Sequence, residues 1–390
     1  MLNTEETVSQ RYTKALKEKT PDLCCPVSYD PALLSALPKE ILEIDFGCGD
    51  PSRFVREGDY VLDLGCGAGK ICYIAAQMAG PNGSVLGVDM NGDMLAIARK
   101  YQAEMSEKLG GVPIQFVKGY IQDLALDLEA TESYLAKYPI ATPSDLLAFQ
   151  AWQDLQRSDH PLIPDGSVDL VLSNCVLNLV RDSEKKDLIG EIVRVLKPGG
   201  RVALSDIVSD EGVPAVLKRN PDLWSGCLSG AFREDIFVRA LEEAGLAGIR
   251  IESWEGRPWK TVEGIEFRSV TVSGFKPLGT ECWDRGHAVI YRGPFREVWD
   301  EEGHVFPRGE RIAVCERTFR TLTEGLYRQD FIGIVPETLT PPRQWCAPPG
   351  TRRSARETKG GGHALETDDG SGCRTSEGDP CDDHCGCSCS

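Results

Sequence analysis

Two groups of residues in this sequence could do chemistry: a glycine loop with two carboxylates, and a set of widely spaced thiols. The loop is Val61-Leu62-Asp63-Leu64-Gly65-Cys66-Gly67-Ala68-Gly69-Lys70. Its glycines Gly65, Gly67 and Gly69 let the backbone approach a ligand and turn tightly toward a helix amino terminus. Asp89 ends the next β-branched run, at the distance where a carboxylate accepts hydrogen bonds from a ribose diol. A dinucleotide fingerprint would read Gly-x-Gly-x-x-Gly and would not need Asp63 just before it. An acidic side chain there favours a cationic ligand.

The thiols are Cys72, on the first turn after the loop; Cys175, in Ser173-Asn174-Cys175-Val176; and Cys227, in the glycine-flanked Trp224–Gly230. Any one of them alone is more often a small buried hydrophobe. Three sequence-distant thiols placed at one sheet edge suit a soft, three-coordinate centre. Zinc would need a fourth ligand, and none of the five histidines lies beside these cysteines. Pyramidal trivalent arsenic fits better.

Such groups need a scaffold. Short β-branched runs at 60–64, 84–89, 114–119, 167–173 and 200–206 alternate with helix-period segments at 70–79, 94–109, 183–195 and 232–244. Lys197-Pro198-Gly199-Gly200 reads as a stop and turn before the fifth strand. The rhythm predicts a mostly parallel α/β sheet with ligands at the carboxyl ends of its strands. GIRIESW and FRSVTVSGFK should close it as an antiparallel pair. The expected organisation is an N-terminal segment 1–40, a main domain 41–276 with an inserted subdomain or lid at 124–164, a small C-terminal domain 277–342, and a disordered, Cys-rich tail 343–390. Cys282 and Cys315 read as packing residues.

Composition narrows the partners. A formal charge of −17 disfavours nucleic acid. There is no apolar run of membrane length and no apolar signal core at the start, so a cytoplasmic protein without a membrane partner is expected. Fifteen cysteines are then too many for structural disulfides to explain.

DLGCGAGK, GVDMN and VLKPGGRV, in that order, resemble the class I methyltransferases that use S-adenosylmethionine, over about residues 40–275. The resemblance implies a Rossmann-like fold. It also implies that Gly65 and Gly67 flank the methionine moiety, Asp63 lies near its ammonium, Asp89 and Met90 hold the adenosine, and Ile121 packs near the adenine. The Asn/Asp-Pro-Pro-aromatic signature of amino-methylating relatives is absent at Ser173–Val176. GKICYIAA, SNCVLNLV and WSGCLSGAF further resemble the arsenite methyltransferases, which implies arsenic bound by Cys72, Cys175 and Cys227. The substrate would be arsenite or its glutathione conjugate.

The family also carries an amino-terminal cysteine upstream of a Tyr-Gly-Cys-Gly segment; here Leu23-Cys24-Cys25-Pro26 precedes Phe46-Gly47-Cys48-Gly49. This implies a redox disulfide between Cys24 or Cys25 and Cys72, reset by a glutathione or thioredoxin system, with Cys48 the next candidate. Two other readings remain: a small-molecule C- or O-methyltransferase, and a non-enzymatic metalloid-binding protein. The tail, with cysteines 381, 385, 387 and 389, could capture soft ions or simply be unconstrained.

Overall fold

The computed structural model describes residues 4–17, 27–44, 46–279, 281–337, 341–345 and 347–359. Cys24, Cys25 and the cysteines of the tail lie outside them. In chain order the helices of the main unit are α1 (Thr4–Lys17), α2 (Pro31–Leu34), α3 (Lys39–Leu42), α4 (Lys70–Ala79), α5 (Gly92–Lys100), α6 (Gln102–Lys108), α7 (Leu128–Lys137), α8 (Pro143–Asp159), α9 (Lys185–Val195), α10 (Ala215–Lys218), α11 (Pro221–Ser225) and α12 (Glu234–Glu243). Its strands are β1 (Tyr60–Leu64), β2 (Ser84–Asp89), β3 (Ile114–Lys118), β4 (Val168–Asn174), β5 (Leu196–Ser209), β6 (Phe232–Arg233), β7 (Ala247–Trp254), β8 (Lys260–Val262) and β9 (Ile265–Phe275).

The main sheet runs β3-β2-β1-β4-β5-β9-β7. β1 to β5 are parallel, and β9 pairs antiparallel with both β5 and β7, which is the expected closing pair. Strand alternation decides what each face holds. On β1, Leu62 and Leu64 join a core with Ile189, Ile192, Phe237 and Leu241 from α9 and α12. Val61 faces the opposite core, with Cys72, Tyr73, Ile74 and Ala76 of α4. Asp63, in phase with Val61, therefore points to the α4 side. Helices cover both faces, so the strands read as continuous apolar runs.

Two expectations are corrected. Lys197–Gly200 does not stop the chain before the strand: it lies inside β5, where Gly199 takes a left-handed φ of 79° and the Gly199 and Gly200 backbones exchange hydrogen bonds with Lys276. Sheet pairing has overridden the local turn preference. The disordered tail does not begin at 343 either. Arg343–Gln344 pairs with Trp283–Asp284, and Arg353 makes a 2.8 Å ion pair with the buried Asp284. The insertion at 124–164 is a pair of helices, α7 and α8, with an aromatic cluster of Tyr134, Phe149 and Trp152 between them.

The C-terminal unit packs Val289, Phe306, Ile312, Leu322 and Phe331 around a three-stranded antiparallel sheet of Ala288–Tyr291, Arg311–Ala313 and Phe331–Ile334. Among the described residues, no helix is long and apolar enough to cross a membrane.

Candidate active site

A cavity opens at the carboxyl ends of β1, β2 and β4. Its lining includes Asp63, Gly65, Gly67, Asp89, Met90, Ile121 and Cys175. The glycine loop is shaped by positive φ at Gly65 (64°), Gly67 (52°) and Gly69 (86°). A Cβ on Gly65 would sit 2.4 Å from Val176 Cγ1, whereas Gly67 has nothing within 4 Å of that position. Gly65 is thus needed for close packing, and Gly67 leaves space for a ligand. Gly69 is absent from the cavity wall and caps α4 against Phe116 instead. Asp89 ties the loop down: Oδ2 accepts from the Gly67 amide and Oδ1 from the Asn91 amide, each at 2.8 Å.

Asp63 is 2% exposed and accepts a hydrogen bond from Cys72 Sγ at 3.2 Å. Burial pushes its carboxyl up to about 7, against the Cys72 bond that lowers it. A cationic group bound there would select the ionised form and release a proton. The sign is therefore fixed: below about 7 the carboxyl is protonated, and affinity for a ligand ammonium should fall by up to about tenfold per pH unit. Calorimetry with S-adenosylhomocysteine at several pH values around neutrality checks this. An affinity that is flat with pH would take Asp63 away from the ammonium.

The thiols do not group as expected. Cys72 is fully buried under β1, beside Cys66 and Asp63. Burial holds its thiol well above the usual cysteine range, so it stays protonated and packs. Cys48 takes the place expected for Cys72. It is joined to Cys175 by a disulfide, and both lie in a buried cluster with Cys227, Ile207, Leu228 and Phe267. Cys227 Sγ donates to the Cys175 carbonyl at 3.3 Å.

Close backbone approach puts Cys48 there. A Cβ on Gly47 would meet Asn174 Nδ2 at 2.4 Å, and one on Gly49 would meet Ser205 Oγ at 2.5 Å. The Phe46–Gly49 loop is thereby pressed onto the ends of β4 and β5. Asn174 fastens it, with Oδ1 accepting from the Cys48 amide (2.9 Å) and Nδ2 donating to the Gly49 carbonyl (2.8 Å).

Cys175 and Cys227 both adopt left-handed backbones, with φ of 61° and 60°. That conformation costs a non-glycine residue about 1–2 kcal/mol and persists where the surroundings impose it. Around them the buried Asn178 and Asp206 tie the two segments to β5, while the Cys175 amide donates to the Ser205 carbonyl at 2.8 Å. Asn178 Nδ2 lies 2.7 Å from Asp206 Oδ1, 2.6 Å from the Ile207 carbonyl and 3.4 Å from the Cys227 carbonyl, and Asp206 Oδ2 accepts from the Leu177 amide at 2.9 Å. Burial pushes the Asp206 carboxyl up to about 7. One oxygen of Asp206 and the sulfurs of Cys48 and Cys175 lie within 4.8 Å of one another.

Sequence reading missed Asp206, Asn178 and the contribution of α1, whose Glu5, Val8, Ser9 and Tyr12 line the cavity. The i, i+3, i+4, i+7 spacing of those four was the available signal.

The chain is similar in sequence and in fold to known methyltransferases. A family profile described as a methyltransferase domain matches residues 56–143 and 147–245, and one described as a domain of unknown function matches residues 279–363. An arsenite methyltransferase of Aquipseudomonas alcaligenes is 32% identical, over 84% of this chain and 89% of its own. The Mus musculus arsenite methyltransferase is 30% identical, over 80% and 75%. A crystal structure of an arsenic(III) S-adenosylmethionine methyltransferase from Chlamydomonas reinhardtii superposes with a TM-score of 0.53 at 29% identity, covering 78% of this chain and 96% of that one.

Proposed function

Because this chain belongs to the arsenite methyltransferases, S-adenosylmethionine-dependent enzymes of the class I fold, we propose that it methylates trivalent arsenic held by Cys48, Cys175 and Cys227. The observation that carries the reading is the meeting of these cysteines in one buried cluster, with Cys175 also in the wall of the cofactor cavity. The cavity fits the cofactor: Gly67 leaves room, Asp89 presents a carboxylate for ribose hydroxyls, and Asp63 offers its charge to an ammonium. When bound, S-adenosylmethionine supplies an electrophilic methyl on a cationic sulfonium.

The chain's own part is ligation and aim. With the Cys48–Cys175 disulfide reduced, three sulfurs displace the oxygens of arsenite as water and leave arsenic's lone pair opposite them. Asn178 and Asp206, bonded to the Leu177 amide and the Cys227 carbonyl, hold the two cysteine segments together so that the lone pair faces the cofactor cavity. In-line transfer then depends chiefly on positioning and needs no general base. The new As–C bond takes both electrons of the lone pair, and arsenic rises from the trivalent to the pentavalent state. Two sulfurs then leave as a disulfide and return two electrons to arsenic, a water molecule takes the vacated position with loss of a proton so that the methylated arsenic is again neutral and trivalent, and Cys227 keeps hold of the product. The Cys48–Cys175 pair is the disulfide we assign to that step, in place of one involving Cys72.

An external thiol, of the glutathione or thioredoxin kind, must supply two electrons and two protons per cycle. Cys24 or Cys25 would relay them, and detoxification of arsenic is the biological role this chemistry implies.

The test is purified protein with S-adenosylmethionine, arsenite and a dithiol, followed by separation of arsenic species; absence of methylated arsenic would sink the reading. A finer outcome concerns the relay. Changing Cys24 and Cys25 together to serine should slow methylation of arsenite more than that of trivalent methylated arsenic, which needs fewer sulfurs. Equal loss on both substrates would assign the pair to folding or binding.

A further inference from the structure

α1 spans the boundary between the two halves of the site. Along one flank it is fixed to the donor side: Asn91 Nδ2 donates to the Ser9 carbonyl and to Thr13 Oγ1, both at 3.1 Å, and Thr13 Oγ1 donates to Asp93 Oδ2 at 2.9 Å. Asn91 follows directly on Asp89 and Met90, and its amide is held by Asp89. Along the other flank α1 is fixed to the acceptor side. Arg11 Nη1 donates to the Asp222 carbonyl (2.7 Å) and to Ser225 Oγ (2.8 Å), in the segment that presents Cys227. Glu5 pairs with Arg181, beyond the Cys175 turn.

Between the flanks stands Tyr12. It lines the cofactor cavity, its ring meets Phe46 edge-on at 5.3 Å, and its hydroxyl lies 4.0 Å from Cys227 Sγ. One side chain thus touches the wall of the donor cavity, the loop that carries Cys48, and the sulfur of Cys227.

Resting on the arsenic reading above, we propose that Tyr12 is a positioning residue for methyl transfer and that α1 couples occupancy of the cofactor cavity to the setting of Cys227. A phenol hydroxyl on the Cys227 sulfur fixes one leg of the arsenic pyramid and so the direction of the lone pair opposite. Cofactor bound against Asp89 orders the Asp89–Asn91 turn. That turn holds α1 through Ser9 and Thr13, and α1 in turn holds the Cys227 segment through Arg11. Contacts that tighten on one flank are shared with the other, which is a coupling free energy in the ordinary sense.

The test uses the full chain, reduced, and does not require turnover. The rate at which N-ethylmaleimide alkylates Cys227 is followed by peptide mass spectrometry, with and without saturating S-adenosylhomocysteine. Protection of roughly tenfold is expected in the parent protein, and of about twofold or less in Arg11→Gln and in Thr13→Val, each of which cuts one flank. Equal protection in the parent and both variants would overturn the coupling, as would no protection in the parent. Circular dichroism confirms that the variants are folded, and Tyr12→Phe supplies a second measurement that leaves the ring in place. It should lower kcat about tenfold with little change in the KM for S-adenosylmethionine, because one hydrogen bond to the acceptor side is lost. An unchanged kcat would overturn the positioning role. If the arsenic reading itself fails, methylation is absent while the protection can still be seen; if only this inference fails, methylation proceeds without coupling.

Discussion

Cys175→Ser and Cys227→Ser are each expected to lower arsenite methylation by roughly a thousandfold or more, and the double variant to be scarcely worse than either. Serine keeps the size of the side chain but offers a hard oxygen where a soft centre needs sulfur, so arsenic is left with an incomplete pyramid and a misdirected lone pair. Residues that act as one constellation lose their joint effect at the first substitution, hence the strong non-additivity. Cys72→Ser should behave differently. Its hydroxyl can still donate to Asp63, so the variant should keep arsenite turnover and show only a stability cost. Separation of arsenic species after reaction with each variant reads all of this. Undiminished methylation by the Cys175→Ser, Cys227→Ser protein would remove the thiol pocket from the mechanism, and loss of turnover in Cys72→Ser would return that residue to it.

The contrast between Cys72 and Cys48 shows what a sequence can and cannot carry. Asp63, Gly65, Gly67 and Asp89 line one cavity, and their gathering is legible in the strand-loop-helix order because each stands at or just after a strand end whose position follows from the parallel sheet. Cys72 follows the same loop, yet by the third residue of α4 the helix has turned that side chain down onto the sheet face, where Val61 and Asp63 meet it. Period, not proximity in sequence, decides which way such a residue points. Cys48 lies far from Cys175 along the chain, at a sequence separation of 127. Its place depends on how closely Gly47 and Gly49 let a loop press onto β4 and β5, a long-range contact that no local pattern encodes.

The same limit explains the fold corrections. Pro198, Gly199 and Gly200 have turn chemistry, yet the Gly199 and Gly200 bonds to Lys276, just past the end of β9, hold the segment within β5. The stretch after residue 342 is poor in large apolar residues and reads as unable to fold, but two of its arginines, Arg343 and Arg353, find the buried carboxylate of Asp284. Composition counts apolar area and is blind to a specific charge partner. Asp206 and Asn178 are similar: a carboxylate and an amide in apolar surroundings are read locally as exceptions, whereas in the structure they join the Cys175 and Cys227 segments.

Asp89→Ala should weaken S-adenosylmethionine binding by about 2 to 4 kcal/mol, the usual range for losing hydrogen bonds to a charged group. That corresponds to roughly thirtyfold to a thousandfold in Kd. Two effects combine. The carboxylate that would hold the ribose hydroxyls is gone, and the Gly67 and Asn91 amides lose their shared acceptor, so the glycine loop is no longer held in its ligand-ready turn. The fold should survive, because Asp89 ends a strand whose pairing with β1 and β3 is backbone-made. The loss should fall mainly on KM for the cofactor, with kcat at saturation closer to the parent value, since this contact is made in the ground state and the transition state alike. Asp89→Asn, which keeps one acceptor oxygen, should lie between the two. Calorimetry with S-adenosylhomocysteine on the folded variants decides: an affinity unchanged by Asp89→Ala would take this residue out of the site, and with it the assignment of the cavity to the cofactor's ribose.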